Sequence, residues 1–318
     1  MPAGTTTLEH GITAIDTDYV RPLLDASHLV VEQGRAAYVD TGTNHSVPML
    51  LDALTRLNID VADVDYVFLT HVHLDHAGGA GLLMQSLPNA KAVLHPRGAP
   101  HMTDPGKLIK GSTAVYGEER YQRIYGTLVP IPSERVVIAA DGDEFSLAGR
   151  RFRIMHTEGH ARHHYCLEDP TSKGVFTGDS FGISYREFDT ADGEFIFPTT
   201  TPIHFDPVEA HRAIDRIMSV GPERLYLTHY SVVTSLPRLA DDMHRRIDDF
   251  VALSEAHAQA SDRTAAMQAG MHAYFLDGLR AHGCTMSAAA IADMLQMDVE
   301  LNTMGLEYWL DHRDDRGK

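Results

Sequence analysis

Short apolar runs bounded by glycine, proline, aspartate or asparagine recur up to about residue 235, and helical spacing takes over from residue 237. Continuous or alternating apolar runs at 11–15, 28–31, 36–40, 64–70 and 91–95 predict strands. Between them, 47–57 sets Met49, Leu50, Leu54 and Leu57 on one helical face, and 82–87 reads as a second helix. A meander follows at 136–140, 144–147 and 151–156, turned by Asp141-Gly142-Asp143 and Ala148-Gly149. Further strands are predicted at 163–168, 174–179 and 225–229. Asp206-Pro207 opens a helix to Val220, with aspartate at the N-cap and proline at the first helical position. Strands alternating with helices predict an α/β fold.

Two stretches interrupt this pattern. Residues 96–132 hold Pro100, Pro105, Pro130 and Pro132 among glycines, with a helical piece at 118–125. A connection that long is usually functional, so it reads as a lid or substrate wall, with a dimer contact as the competing use. Residues 181–205 carry Tyr185, Phe188, Phe195, Phe197 and Phe205. Those rings read as walls of a substrate pocket, or as a cover for a sheet edge. Beyond 237, helical periodicity covers 238–260 and 262–282, with a shorter pair at 287–297 and 302–312. The division expected is therefore a catalytic domain at 1–236 and a helical extension at 237–318, packed on it or on a partner subunit. Met243, Met267, Met271, Met286, Met294, Met297 and Met304 lie in that extension. They read as its core or as a homodimer interface.

Composition narrows the function classes. A hydrophobic share of 43% over 318 residues supports a large core. The net charge of −17 argues against nucleic acid as a partner, because phosphates would be repelled. No apolar run approaches the roughly 20 residues of a membrane helix, and residues 1–16 lack the charged start and apolar stretch of a signal peptide. Cys166 and Cys284 are too few for a disulfide framework. A soluble cytoplasmic protein acting on a small molecule is the expectation.

The chemistry concentrates in Thr70-His71-Val72-His73-Leu74-Asp75-His76-Ala77-Gly78-Gly79. An apolar strand leads in and a glycine turn leads out, so these side chains sit at the carboxyl end of a strand, where α/β sheets place their sites. Histidines two apart on extended chain point the same way, so His71 and His73 can grip one ion. Asp75 and His76 lie past the bend and can turn toward a second. Imidazole with carboxylate suits zinc, iron, manganese or cobalt. The chain has 20 histidines, so one alone means little. Four donors packed into six residues mean more.

This motif resembles the signature of the metallo-β-lactamase-fold superfamily. Three downstream segments extend the resemblance: His160 after the run at 151–156, Asp179 closing 174–179, and His229 closing 225–229. It implies a four-layer αββα sandwich with an added helical C-terminal region, and two divalent metal ions per chain, zinc first, with iron or manganese as alternatives. His71, His73 and His160 would bind one ion, Asp75, His76 and His229 the other, and Asp179 would bridge them. The implied activity is hydrolysis of a small-molecule ester, lactone or thioester by a metal-bridging hydroxide, with Asp75 as the catalytic residue that orients it or shuttles a proton. The alternative is a di-iron protein that binds or reduces dioxygen or nitric oxide. His73 favours the hydrolase, because relatives with oxygen or nitric oxide chemistry commonly carry Glu there. In relatives the Asp-Thr-Gly at Asp40 is a turn beneath the site, so Asp40 is expected to support ligands without being one. One of His163 and His164 faces the interior near His160. Tyr185, Phe197, His204 and Tyr230 are the substrate-pocket candidates. The extension's arginines and lysines are scattered among aspartates, which argues against a thiol-cofactor domain of the glyoxalase II type.

Overall fold

A computed structural model describes residues 4–200 and 202–313. The chain forms two compact units. The first comprises the chain up to His156, His163–Gly178 and Pro222–Val232. The second comprises Thr157–Arg162, Asp179–Gly221 and the chain from Val233 onward.

The first unit begins with the antiparallel strands β1 (Thr5–Thr7), β2 (Ile12–Asp16), β3 (Ala26–Glu32) and β4 (Arg35–Val39). Helix α1 (Val47–Arg56) then crosses to β5 (Val64–Leu69), parallel to β4. Helices α2 (Leu74–Ala77) and α3 (Ala80–Ser86) lead to β6 (Lys91–Leu94), and α4 (Ala99–Thr103), α5 (Gly106–Tyr116) and α6 (Glu118–Tyr125) lead to β7 (Val136–Ile138). These strands form one seven-stranded sheet in sequence order. The second sheet runs β13-β12-β11-β10-β9-β8, from β8 (Glu144–Leu147), β9 (Arg150–His156), β10 (Tyr165–Asp169), β11 (Gly174–Gly178), β12 (Arg224–Leu227) and β13 (Ser231–Val233).

The period-two pattern of β5 explains how the first sheet is covered. Val67 and Leu69 face one way, into an apolar cluster with Leu50 and Leu54 of α1 and Leu83 and Met84 of α3. Phe68 faces the other way, into a second cluster with Val39 and Val93 of its own sheet and Phe152, Ile154, Tyr165 and Phe176 of the second sheet. Helices therefore cover one face, and the two sheets share the apolar layer on the other. Each such buried side chain contributes about 1.5–3 kcal/mol.

Residues 96–132 are more regular than the composition suggests, because proline and glycine mark helix ends there. Pro100 lies in the first turn of α4, and Pro105 immediately precedes α5. Gly117 and Gly126 close α5 and α6.

The second unit is built on α7 (Pro207–Ser219), α8 (Leu236–His257), α9 (Arg263–Ala281), α10 (Ala288–Met294) and α11 (Gln296–His312). Asp206 caps α7 as expected, accepting from the amides of Val208 (3.1 Å) and Glu209 (3.2 Å). Met243, Met267 and Met271 are buried, as are Phe250 and Phe275, which is the core role. The last helix begins at Gln296, well before the predicted 302. Val299, Thr303 and Leu306 are buried along one of its faces.

The aromatic stretch at 181–205 supplies the rest of this core. The Tyr185 hydroxyl donates to Asp298 (3.0 Å), and the Thr200 amide donates to Asn302 Oδ1 (2.6 Å). Phe197 meets Phe275 edge-on at 4.9 Å, and the Arg246 guanidinium lies 4.0 Å over the Phe195 ring. Among the described residues no helix is long and apolar enough to cross a membrane.

Candidate metal centre

Strand β5 ends at Leu69, and Thr70 to His73 continue extended into α2, whose N-cap position is His73. Beneath this corner lies the turn from Asp40 to Gly42. The Asp40 amide donates to the Phe68 carbonyl, and Gly79 donates to the Gly42 carbonyl at 2.8 Å. A Cβ on Gly79 would stand 2.5 Å from the Thr43 carbonyl oxygen, so only glycine lets the two segments approach this closely.

Asp40 is 1% exposed and organises what surrounds it. Its carboxylate accepts from the Thr70 amide (2.9 Å), the Thr70 hydroxyl (2.8 Å) and the Thr228 hydroxyl (2.9 Å). It also accepts from His76 Nδ1 at 2.8 Å. That bond holds the His76 proton on Nδ1 and leaves Nε2 for a metal. His229 is fixed in the same way, its Nδ1 donating to the Leu24 carbonyl at 2.9 Å. The Thr70 hydroxyl gives its hydrogen to Asp40, so at 3.2 Å it accepts from His71 Nδ1, and His71 Nε2 is the remaining donor atom.

Within the first unit, Asp75, His76 and His229 offer ligand atoms that all lie within 4.8 Å of one another. Asp75 Oδ2 is 3.8 Å from His76 Nε2 and 3.5 Å from His229 Nε2. His71 Nε2 and His73 Nδ1 are 2.8 Å apart, and the His71 ring is 4.0 Å from that of His76. His164 is fully buried with its ring 4.8 Å from His71, and the His163 ring lies 5.4 Å from His73. Within the second unit, His160 Nε2 stands 3.2 Å from Asp179 Oδ2. His160 Nδ1 donates to the Thr199 carbonyl at 3.2 Å.

This donor set suits a metal. His76 and His229 each have Nδ1 anchored and Nε2 turned toward a carboxylate, the arrangement that favours a metal ligand. His71 and His76 are fully buried, and His160, Asp179 and His229 are less than one-tenth exposed. Within the first unit, the Asp75, His76 and His229 group could hold a metal ion.

The pocket candidates fall differently. Tyr185 and Phe197 are 1% and 0% exposed, in the core of the second unit. His204 is half-buried in that unit, and Tyr230 is buried in the first. A small cavity in the second unit is lined by His160, Asp179, Phe205, Ala210, Met243 and Ile247.

Several polar groups near Asp75 have no short-range signal. Asp25 is fully buried and accepts from the Thr17 hydroxyl at 2.9 Å. Burial pushes its carboxyl up to about 7, opposed by His229 and His76 and assisted by Asp75. The hydroxyls of Tyr19 and Tyr125 are 2.7 Å apart, and Tyr116 packs edge-on to Tyr125 at 5.5 Å. Burial raises the pKa of all three phenols, and the charge of Asp75 pushes in the same direction. They stay protonated and keep hydrogens to donate. Tyr19 and Tyr125 are 106 residues apart in sequence, which is why only the fold reveals the pair.

Two mixed sheets with flanking helices and a histidine and aspartate cluster at strand ends define a metal-site α/β sandwich. Residues 21–229 match the family described as the metallo-beta-lactamase superfamily, and the chain belongs to it. Metallo-beta-lactamase fold-containing protein ST1585 of Sulfurisphaera tokodaii is 27% identical over 239 residues, 73% of this chain and 81% of that protein. The crystal structure of ST1585 superposes with a TM-score of 0.64 at 22% identity, covering 96% of this chain and 99% of that one. An atrochrysone carboxyl ACP thioesterase of Aspergillus fumigatus is 25% identical over 63% of this chain and 50% of its own length. A hydroxyacylglutathione hydrolase of Stenotrophomonas maltophilia is 28% identical over 53% of this chain and 48% of its own length. The chain thus spans about half of each of these two hydrolases.

Proposed function

We propose that the protein is a dinuclear metal-dependent hydrolase of a small-molecule ester, lactone or thioester. The observation that carries this reading is the Asp75, His76 and His229 set, with both imidazoles anchored through Nδ1 so that Nε2 faces the carboxylate. His71, His73 and His160 take one ion in this reading, Asp75, His76 and His229 the other, and Asp179 lies between them. Two divalent ions would supply an acidified water and polarise the substrate carbonyl.

The chain's own residues do the rest. Asp75, a fifth exposed, orients the attacking water and passes its proton toward the leaving group. The hydroxyls of Tyr19, Tyr116 and Tyr125, kept protonated by burial and by the charge of Asp75, are candidate hydrogen-bond donors to substrate in this reading. Asp40 holds His76 and binds no ion itself. The two named hydrolases among the relatives support a thioester as the first substrate class to try. The net charge of −17 supports a small molecule over nucleic acid.

Elemental analysis of protein purified without added metal tests this reading. About two zinc ions per chain, with turnover in an ester, lactone and thioester panel, is the expected result. About two iron ions, with an absorbance change on exposure to oxygen and no turnover of the panel, would replace the hydrolase with a di-iron protein acting on dioxygen or nitric oxide.

A further inference from the structure

The small cavity of the second unit is polar where His160 and Asp179 line it and apolar where α7 and α8 line it. Ala210 and Ala213 contribute from one face of α7, and Met243 and Ile247 from α8. Met243, Ile247 and the neighbouring Phe205 are buried. The polar groups at the other end are engaged among themselves. The Ser180 hydroxyl donates to Thr157 Oγ1 at 3.0 Å, and the Thr199 carbonyl accepts from His160 Nδ1 at 3.2 Å. A buried water needs two to four polar partners. The helix side of the cavity offers it carbon and a thioether, so that side suits an apolar group.

The walls are held in place. Gly182 has φ +80°, and a Cβ there would stand 2.8 Å from both Sδ and Cε of Met243, so the thioether is pressed against backbone. Gly159 has φ +124° and packs so tightly on α7 that a Cβ would stand 2.5 Å from the Ala210 nitrogen. The Asp206 amide, at the cap of α7, donates to the Gly159 carbonyl at 2.8 Å. An N–H···N hydrogen bond of 2.7 Å joins Nδ1 of His211 on α7 to Nδ1 of His244 on α8, and His211 Nε2 donates to Asp248 of α8 at 3.1 Å. The helices therefore cannot part without breaking these contacts. The room between them is that of about one water-sized group.

We propose that this cavity is an acyl pocket that selects substrates with a short, unbranched acyl group, acetyl or propionyl, and that Ala213 and Met243 set the limit. The proposal rests on the hydrolase reading above, in which His160 and Asp179 are ligands and the reacting carbonyl lies at the polar end. A methylene moved from water into an apolar pocket gains about fourfold, so propionyl is preferred to acetyl. A longer chain has to push Met243 off Gly182 or part α7 from α8, and it loses more than it gains.

Two measurements on zinc-loaded full-length protein test this. The first is kcat/KM across the p-nitrophenyl esters of acetate, propionate, butyrate and hexanoate. It should rise about fourfold from acetate to propionate and fall at least about tenfold by hexanoate. Met243→Ala should raise hexanoate relative to acetate by about tenfold, and Ala213→Leu should remove the advantage of propionate. A flat profile in the wild type, or an unaltered one in a folded Met243→Ala variant, overturns the pocket and leaves the hydrolase standing. The second measurement needs no turnover and no cavity variant. In protein labelled with ¹³C-methyl methionine, the Met243 signal, identified by its loss in Met243→Leu, is followed as sodium propionate or sodium hexanoate is added. It should shift with propionate and stay put with hexanoate. A signal unmoved by propionate, or moved equally by hexanoate, overturns the pocket whatever the ester profile. A shift with propionate alone, in protein that turns over no ester, lactone or thioester, keeps the pocket and removes the hydrolase.

Discussion

Asp40 and His76 are joined by a 2.8 Å bond from an imidazole Nδ1 to a carboxylate that also accepts from Thr70 and Thr228. Asp40 therefore sets the ring of a candidate metal ligand and ties together the ends of β5 and β12. Asp40→Asn loses the charge and one acceptor while keeping the volume. Metal affinity should fall about 10–100-fold, measured by chelator competition, with the zinc stoichiometry restored at high metal. Unchanged affinity would show that His76 does not need this partner.

His160→Ala and Asp179→Ala should each lower the metal content below two ions per chain and abolish turnover, while far-ultraviolet circular dichroism stays that of the wild type. Two ions retained in either variant would remove that residue from the ligand set. Asp75→Asn should lower kcat by about 10²–10⁴-fold if Asp75 moves the proton. A rate unchanged at full metal occupancy would take that role from it.

Acid stability should respond to His28. Its ring is 1% exposed, between Phe176 at 5.4 Å and Tyr226 at 5.8 Å. Burial lowers its pKa to about 4. Above pH 6.5 neither the native nor the unfolded form carries the proton, so the group costs nothing there. As pH falls from 6.5 toward 4, the unfolded chain binds a proton that the native state refuses, and stability is lost. The loss approaches about 3 kcal/mol near pH 4. His95, also held down to about 4, adds to the same window. His28→Phe should flatten the fall between pH 6.5 and 4, read from denaturant midpoints. An equally steep fall in the variant would exclude His28.

Removing the helices after Leu236 should do more than disturb assembly. The segment at 181–205 depends on them, through Tyr185 to Asp298, Thr200 to Asn302, and Phe197 to Phe275. The truncated chain should be insoluble, or protease-sensitive from 179 to 221. A soluble, protease-resistant truncation would show that this segment folds without its partners.

The strand ends that carry the candidate ligands are legible in the sequence because each obeys a local rule. An apolar run closes on a polar residue at Thr70, at Asp179 and at His229. Within 96–132 the helix at 118–125 is legible from its spacing, whereas α4 and α5 are masked by Pro100 and Pro105, which stand at their starts. The last helix starts earlier than its periodicity predicts, at Gln296, and Asp298 in its first turn is 7% exposed and bonded to Tyr185, a partner 113 residues away that no local pattern shows. The tyrosine group beside Asp75 and the pairing of His211 with His244 join residues remote in sequence, and local periodicity carries no trace of them.

The two units are interleaved along the chain, and this bears on how the protein is made. A ribosome releases residues in order, and domains tend to fold as they emerge. Here the second sheet lacks β12 until residue 227 is out, and the segment from Asp179 to Gly221 waits for α8 and the helices after it. The nascent chain therefore carries the first candidate metal-binding histidines, His71 and His73, through about half of translation before His160, Asp179 and His229 have all emerged. On the proposed ligand set, loading of a complete centre would be a late event in synthesis, and until then the histidine loop would be open to whatever ion or chaperone meets it first.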